Sequence, residues 1–211
     1  MKVYESDSHT EKALLIWWKE NKFYLAAVIA IIIISIAAVT NMNSHKQKSS
    51  LKAASLFYNI VPNLLHEQGD IAIKQTKDLQ IQQPSSIYTS MSTFHLVKFY
   101  VNNKKYDEAT KELYWLIDNS NTEIQAMAKL KLARILIELN QAKKAIEILQ
   151  NNDIYRAESA LITGDALMKE KEIEKAKLSY KKAKDSCNEK TEYELCNLID
   201  MKFSSVNYVS K

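Results

Sequence analysis

From residue 50 onward the apolar positions recur three or four residues apart, with polar residues between them. In GDALMKEKEIEKAKLSYKKA, residues 164–183, the small or apolar side chains Gly164, Leu167, Ile173, Ala176, Tyr180 and Ala183 follow this spacing on either side of a polar break from Lys171 to Glu174. A stripe of this period covers one face of a helix, so the pattern predicts two helices joined by a short turn. Gly164 sits inside the first helix, where glycine costs about 1 kcal/mol relative to alanine. Close packing offsets that cost if a second helix crosses there and only a tiny residue fits. Ala176 is then the reciprocal small residue, with Tyr180 and Ala183 expected to face the next unit.

The pattern recurs upstream. Residues 126–152 carry Leu132, Ala133, Leu136, Ala142, Ala145 and Leu149 at matching positions, and residues 90–119 carry Leu96, Val97, Tyr100, Tyr106, Ala109, Leu113 and Leu116. The alanines Ala109, Ala145 and Ala176 are 36 and 31 residues apart, close to the 34-residue period of tetratricopeptide repeats. Three matches in register favour stacked helical hairpins over a generic bundle. A degenerate fourth unit is expected over residues 50–83, with Gly69 in its turn, Pro84 after its end and Pro62 as a defect that kinks or breaks its first helix. Residues 191–204 read as a capping helix with Tyr193, Cys196, Ile199 and Phe203 on one face. The expected fold is all-α: an N-terminal transmembrane helix, then a tetratricopeptide-repeat-like α-solenoid with a C-terminal cap.

One segment has no polar face. FYLAAVIAIIIISIAAV, residues 23–39, is uncharged. At about 1.5 Å per residue it spans roughly 26 Å, and adding residues 40–42 brings it to the ~30 Å of a bilayer core. Trp17, Trp18, Lys19 and Lys22 precede it as an interfacial belt would. The preceding 22 residues contain Glu5, Asp7, Glu11 and Glu20, unlike the short basic start of a signal peptide, so an uncleaved anchor is expected. Ser8 and Glu11 form a candidate capping box for a short surface helix leading into it. The resulting division is a tail at 1–22, an anchor at 23–42 and a soluble domain at 43–211. Lys12, Lys19 and Lys22 on one flank balance Lys46, Lys48 and Lys52 on the other. Lys2 and the amino terminus tip the count toward a cytoplasmic N-terminus.

Charge and chemistry narrow the functions. The net charge of +4 is too mild to demand nucleic acid, and the lysines at 175, 177, 181, 182 and 184 read as a solvated helix face. Two glycines leave no room for a phosphate-binding loop or a dinucleotide fingerprint. His9, His45, His66 and His95 are scattered, without a metal-site spacing, and no Ser-His-Asp set is recognisable. No enzyme activity, cofactor or metal is expected. Groove-facing offsets on the first helix of each hairpin give Phe94, Lys98, Val101 and Asn102, then Leu130, Arg134, Ile137 and Glu138, then Leu161, Asp165, Met168 and Lys169. This mixture of apolar anchors and both charge signs suits a partner peptide.

The opening MKVYESDSHTEKALLIWWKENKF, the anchor, NSHK and KAASLFYN resemble the start of the YfgM-type family, the ancillary subunits of the bacterial Sec translocon. NNKKYDEATKEL, LKLARILIELNQAKKAIEIL and LITGDALMKEKEIEKAKLSYKKA resemble its degenerate repeats, and DMKFSSV its tail. The resemblance implies a single-pass protein of the bacterial inner membrane with its repeat domain in the periplasm. It further implies association with the Sec translocon channel and with a membrane-anchored periplasmic chaperone of the prolyl-isomerase-like type, in the service of newly translocated client polypeptides. Two other readings stay open: an anchored scaffold for envelope assembly or cell division, and a hydrolase with a dispersed site. In an oxidising periplasm Cys187 and Cys196, on either side of the bend before the cap, are a candidate disulfide; Cys196 also fits the cap's apolar face without a bridge.

Overall fold

The computed structural model describes residues 7–65 and 69–209, and every regular element among them is helical. The chain divides into two compact units, residues 1–51 and 52–211. The first consists of the N-terminal part of α1 (Asp7–Leu65). Within it Leu15–Ala37 is long and apolar enough to cross a membrane, and none of this stretch is buried. The window starts earlier than expected and takes in Leu15 to Trp18 across the polar residues 19–22. Ser35 donates to the carbonyl of Ile31 at 2.8 Å and Thr40 to that of Ile36 at 2.9 Å, so neither hydroxyl proton is left unpaired in apolar surroundings. Ser8, expected as a cap, lies inside α1; residues 1–6 of the expected tail lie outside the described residues.

The second unit begins with the last turns of α1, which continue through Pro62 to Leu65. Of the two expected outcomes, kink or break, the break does not occur. His66 lies outside the described residues. Gly69 opens α2 (Gly69–Gln82) instead of sitting in a turn; a Cβ placed on it would lie 2.8 Å from Cζ of Phe99. Three hairpins follow: α3 (Ile87–Asn102) with α4 (Tyr106–Asn119), α5 (Thr122–Glu138) with α6 (Ala142–Leu149), and α7 (Arg156–Lys169) with α8 (Ile173–Ser186). Helix α9 (Tyr193–Val209) caps the stack.

The three hairpins turn in the same way. Lys104, Asn140 and Lys171 adopt left-handed φ values of 57°, 57° and 62°. In the first, Lys104 N–H donates to the carbonyl of Val101 and Lys105 N–H to that of Tyr100, satisfying two carbonyls at the end of α3. Asn140 and Gln141 repeat this on Ile137 and Leu136, and Lys171 and Glu172 on Met168 and Leu167. The left-handed residue stands five positions before Ala109, Ala145 and Ala176, so turn and crossing keep one register through the solenoid. Asn121 N-caps α5 by accepting from Ile124 N–H at 3.0 Å.

Ala109, Ala133, Ala145, Ala176 and Ala183 are fully buried. One core runs from the end of α1 through α6 and takes in Ile162 and Ala166; a second joins α7, α8 and α9 around Leu161, Tyr180, Ile199 and Val206. Tyr180 shares the second core with Ile199 and Val206 of the following cap, and it also lies on Gly164 of its own hairpin: a Cβ on Gly164 would stand 2.5 Å from Tyr180 Cδ1. Ser179 ties the same crossing by donating to the carbonyl of Ala160 at 2.8 Å. A buried polar cluster joins α2, α3 and α4. The Glu112 carboxylate accepts from Lys77 Nζ at 2.5 Å and Gln80 Nε2 at 2.8 Å, and Gln80 also reaches Thr93 Oγ1 at 3.1 Å.

The cap ends later than expected, at Val209. Its inner face is Cys196, Ile199, Phe203 and Val206, whereas Tyr193, assigned to that face, is 68% exposed. Cys187 at the end of α8 and Cys196 form a disulfide with Cα atoms 5.8 Å apart, and Lys184 pairs with Asp200 at 2.7 Å.

Two substitutions in the last hairpin have opposite effects. Gly164→Leu overpacks the crossing at a cost of about 2 kcal/mol or more, which lowers the Tm of the repeat domain by at least about 4 °C. Lys171→Gly relieves a left-handed conformation costing roughly 1–2 kcal/mol and raises the Tm by about 2–4 °C; thermal unfolding of the full chain in detergent reads both. Replacing Cys187 and Cys196 by serine opens a loop of sequence separation 9 and removes about 2–3 kcal/mol of chain-entropy stabilisation. Reductant should lower the wild-type Tm and leave that of the double variant unchanged.

Candidate partner-binding groove

The first helices of the hairpins, α3, α5 and α7, line a groove with two adjoining cavities. The larger, of about 830 Å³, is bounded by Val101 of α3, Tyr106 of α4, Arg134, Ile135, Ile137 and Glu138 of α5, and Ile162, Asp165, Met168 and Lys169 of α7. Tyr180 of α8 and Lys202, Ser205 and Val206 of α9 close its end. The smaller, of about 400 Å³, lies between α3 and α5 and is lined by Phe94, His95, Val97, Lys98, Val101, Lys131, Arg134 and Ile135. Val101, Arg134 and Ile135 belong to both.

Nine of the twelve expected groove residues are brought together here: Phe94, Lys98, Val101, Arg134, Ile137, Glu138, Asp165, Met168 and Lys169. Three are not. Leu130 and Leu161 are only 3% and 2% exposed and belong to the cores, and Asn102 is exposed at the end of α3 without lining either cavity. The sequence reading missed the cap's share, although Val206 continues the helical spacing of Ile199 and Phe203 and so marks the face that turns inward.

The polar groups are held in place by neighbouring helices. Arg134 reaches across from α5 to Glu158 of α7 at 2.6 Å. Asp165 Oδ1 accepts from Tyr180 Oη at 2.7 Å and from Lys202 Nζ at 2.8 Å, so one carboxylate joins α7, α8 and α9 at the groove's end. Burial, and then the hydrogen bond to Asp165, push the Tyr180 phenol far above its ordinary range. His95, half-buried with its ring 5.8 Å from that of Phe57, is pushed down by burial and then by the Lys98 cation. Lys131 lies over the Phe94 ring at 5.8 Å from its centroid. Among the described residues no group of three His, Cys, Asp or Glu could hold a metal ion. The arrangement offers apolar contact and hydrogen-bonded charges of both signs, which is recognition chemistry.

A family model described as a tetratricopeptide repeat-like domain matches residues 16–208. An ancillary SecYEG translocon subunit of Buchnera aphidicola subsp. Schizaphis graminum is 29% identical over 141 residues, 65% of this chain and 72% of the relative. The ancillary SecYEG translocon subunit of Escherichia coli K12 is 25% identical over 171 residues, 80% of this chain and 82% of that one. The chain belongs to the YfgM-type tetratricopeptide repeat-like family. The crystal structure of nearly identical TPR-like repeats from a Podosopora anserina kinesin light chain superposes with a TM-score of 0.55 at 14% identity, over 75% of this chain and 86% of that chain, and shows the fold alone.

Burial of Tyr180, and then its bond to Asp165, give the groove a pH signature. Above about pH 10, where an unfolded tyrosine ionises, the folded chain still keeps the Tyr180 proton. Stability from this group is complete below that pH and falls by up to about 1.4 kcal/mol per unit as pH rises further. The Tm of Tyr180→Phe should therefore drop less than that of wild type between pH 9 and 11, by about 3 °C. Equal drops would mean that Tyr180 ionises freely in the folded state.

Proposed function

We propose that this chain is a non-enzymatic, membrane-anchored interaction module that associates with the Sec translocon and holds a polypeptide segment in its groove. The observation that carries the reading is the groove itself: open, lined by three successive first helices, and built from apolar floors between fixed charges. The names of the two curated relatives supply the translocon. A membrane-anchored periplasmic chaperone of the prolyl-isomerase-like type and newly translocated clients are the proposed occupants. A cavity of about 830 Å³ lies within the range of specific ligand sites, about 300–1,000 Å³. An extended or helical peptide meets both kinds of contact along the groove.

The proposed location is the bacterial inner membrane, crossed once, with the N-terminal tail cytoplasmic and the repeat domain periplasmic. The Cys187–Cys196 bridge supports this orientation, because disulfides persist in an oxidising compartment. The lysine balance adds a weaker argument in the same direction.

A photocrosslinking residue at position 168, inside the groove, should capture the translocon-associated chaperone or a polypeptide in transit in intact membranes. The same residue at position 178, where Leu178 is 68% exposed on α8 outside the two cavities, should capture far less. Equal capture at both positions would sink the groove reading. Protease added to spheroplasts should digest the repeat domain and spare an N-terminal epitope; protection of the domain would reverse the orientation.

A further inference from the structure

The two ends of the groove differ in charge. The α7–α9 end sets Asp165 and Glu138 among Lys169 and Lys202. The α3–α5 end has an apolar floor of Phe94, Val97, Val101 and Ile135, surrounded by Lys98, Lys131 and Arg134, and no carboxylate lines it. Among the described residues neither Lys98 nor Lys131 takes part in an ion pair. Arg134 pairs with Glu158 through one nitrogen, which fixes the guanidinium and leaves further donors for a ligand. Lys131 is aligned over the Phe94 ring, so its ammonium stands beside the floor. This is an apolar pocket with a positive rim, in which Arg134 is paired with Glu158 and the two lysines have no carboxylate partner among the described residues.

We infer that the α3–α5 end selects polypeptide segments in which acidic residues flank a large apolar side chain. The inference rests on the groove reading above and deepens it. The apolar side chain covers Phe94, Val97, Val101 and Ile135, and the flanking carboxylates meet Lys98, Lys131 and Arg134. Each partly exposed pair adds little by itself, but several act together against a low-dielectric floor. A lysine-flanked segment faces like charge at the same positions, so the rim excludes as well as attracts.

The test uses the full chain in detergent and fluorescein-labelled peptides with a central Phe-Leu pair flanked by aspartates, serines or lysines. The aspartate peptide should bind about tenfold more tightly than the lysine peptide, and the preference should shrink as salt is raised. In the doubly substituted chain Lys98→Glu, Lys131→Glu the order should reverse, with the Tm confirming that the variant is folded. Equal affinity of the aspartate and lysine peptides for wild type, or a preference untouched by salt, overturns the proposal without any variant. An unreversed order in the folded variant overturns it too. The serine peptide separates the two readings: if it binds while charge has no effect, the groove stands and the selectivity falls, and if no peptide binds, both fall.

Discussion

The contact between the Tyr180 ring and the Gly164 backbone sets the geometry of the C-terminal half. With no side chain at position 164 the ring packs directly on α7, and its hydroxyl reaches Asp165, the next residue. Asp165 is thereby oriented to receive Lys202 from the cap. The cap in turn brings Lys202, Ser205 and Val206 to the end of the larger cavity. A larger residue at position 164 would lift the ring, remove the donor from Asp165 and loosen the cap. The disulfide acts on the same helix nearer its start, so α9 is held covalently in its first turn and by ion pairs from Asp200 and Lys202 at its middle.

The helices and their grouping into hairpins were legible because small residues at helical spacing carry a packing requirement: close crossings admit only glycine or alanine. The turns were not. Helices commonly end on a left-handed glycine, but Lys104, Asn140 and Lys171 do that work here, and two of the three lysine or asparagine positions carry no local signal. What defines them is distance, since each stands five residues before a crossing alanine. In the degenerate first unit the departure is at Gly69, which opens α2 instead of sitting in a turn. Pro62 stays inside α1, three residues from its end, where little helix remains to be disrupted.

The groove was legible to the same degree and for the same reason. Offsets along α3, α5 and α7 located the charged and peripheral lining residues, because exposed positions follow helical period closely. They failed at Leu130 and Leu161, which correspond by the 36- and 31-residue spacings to Phe94. Phe94 remains half-exposed beside the first hairpin, whereas its counterparts are absorbed into the two cores. The same offset is therefore buried to different depths in different units, and a single offset rule cannot express that. Residues contributed by other elements, such as Lys202 from the cap, depend on three-dimensional closure and leave only a faint trace in sequence.

Anchoring changes what the groove must accomplish. On the proposed reading a module anchored in the membrane meets a translocon-bound segment at a raised effective concentration. On the proposed reading weak and reversible contacts then suffice, and tight ones would hinder release of a client. The lining fits this requirement. It places partly exposed charges on apolar floors and contains no deep, desolvated anchor pocket of the kind that dominates high-affinity interfaces. On the proposed reading, selectivity comes from the sign of the rim charge and occupancy from proximity, so neither needs the large buried area of a permanent complex.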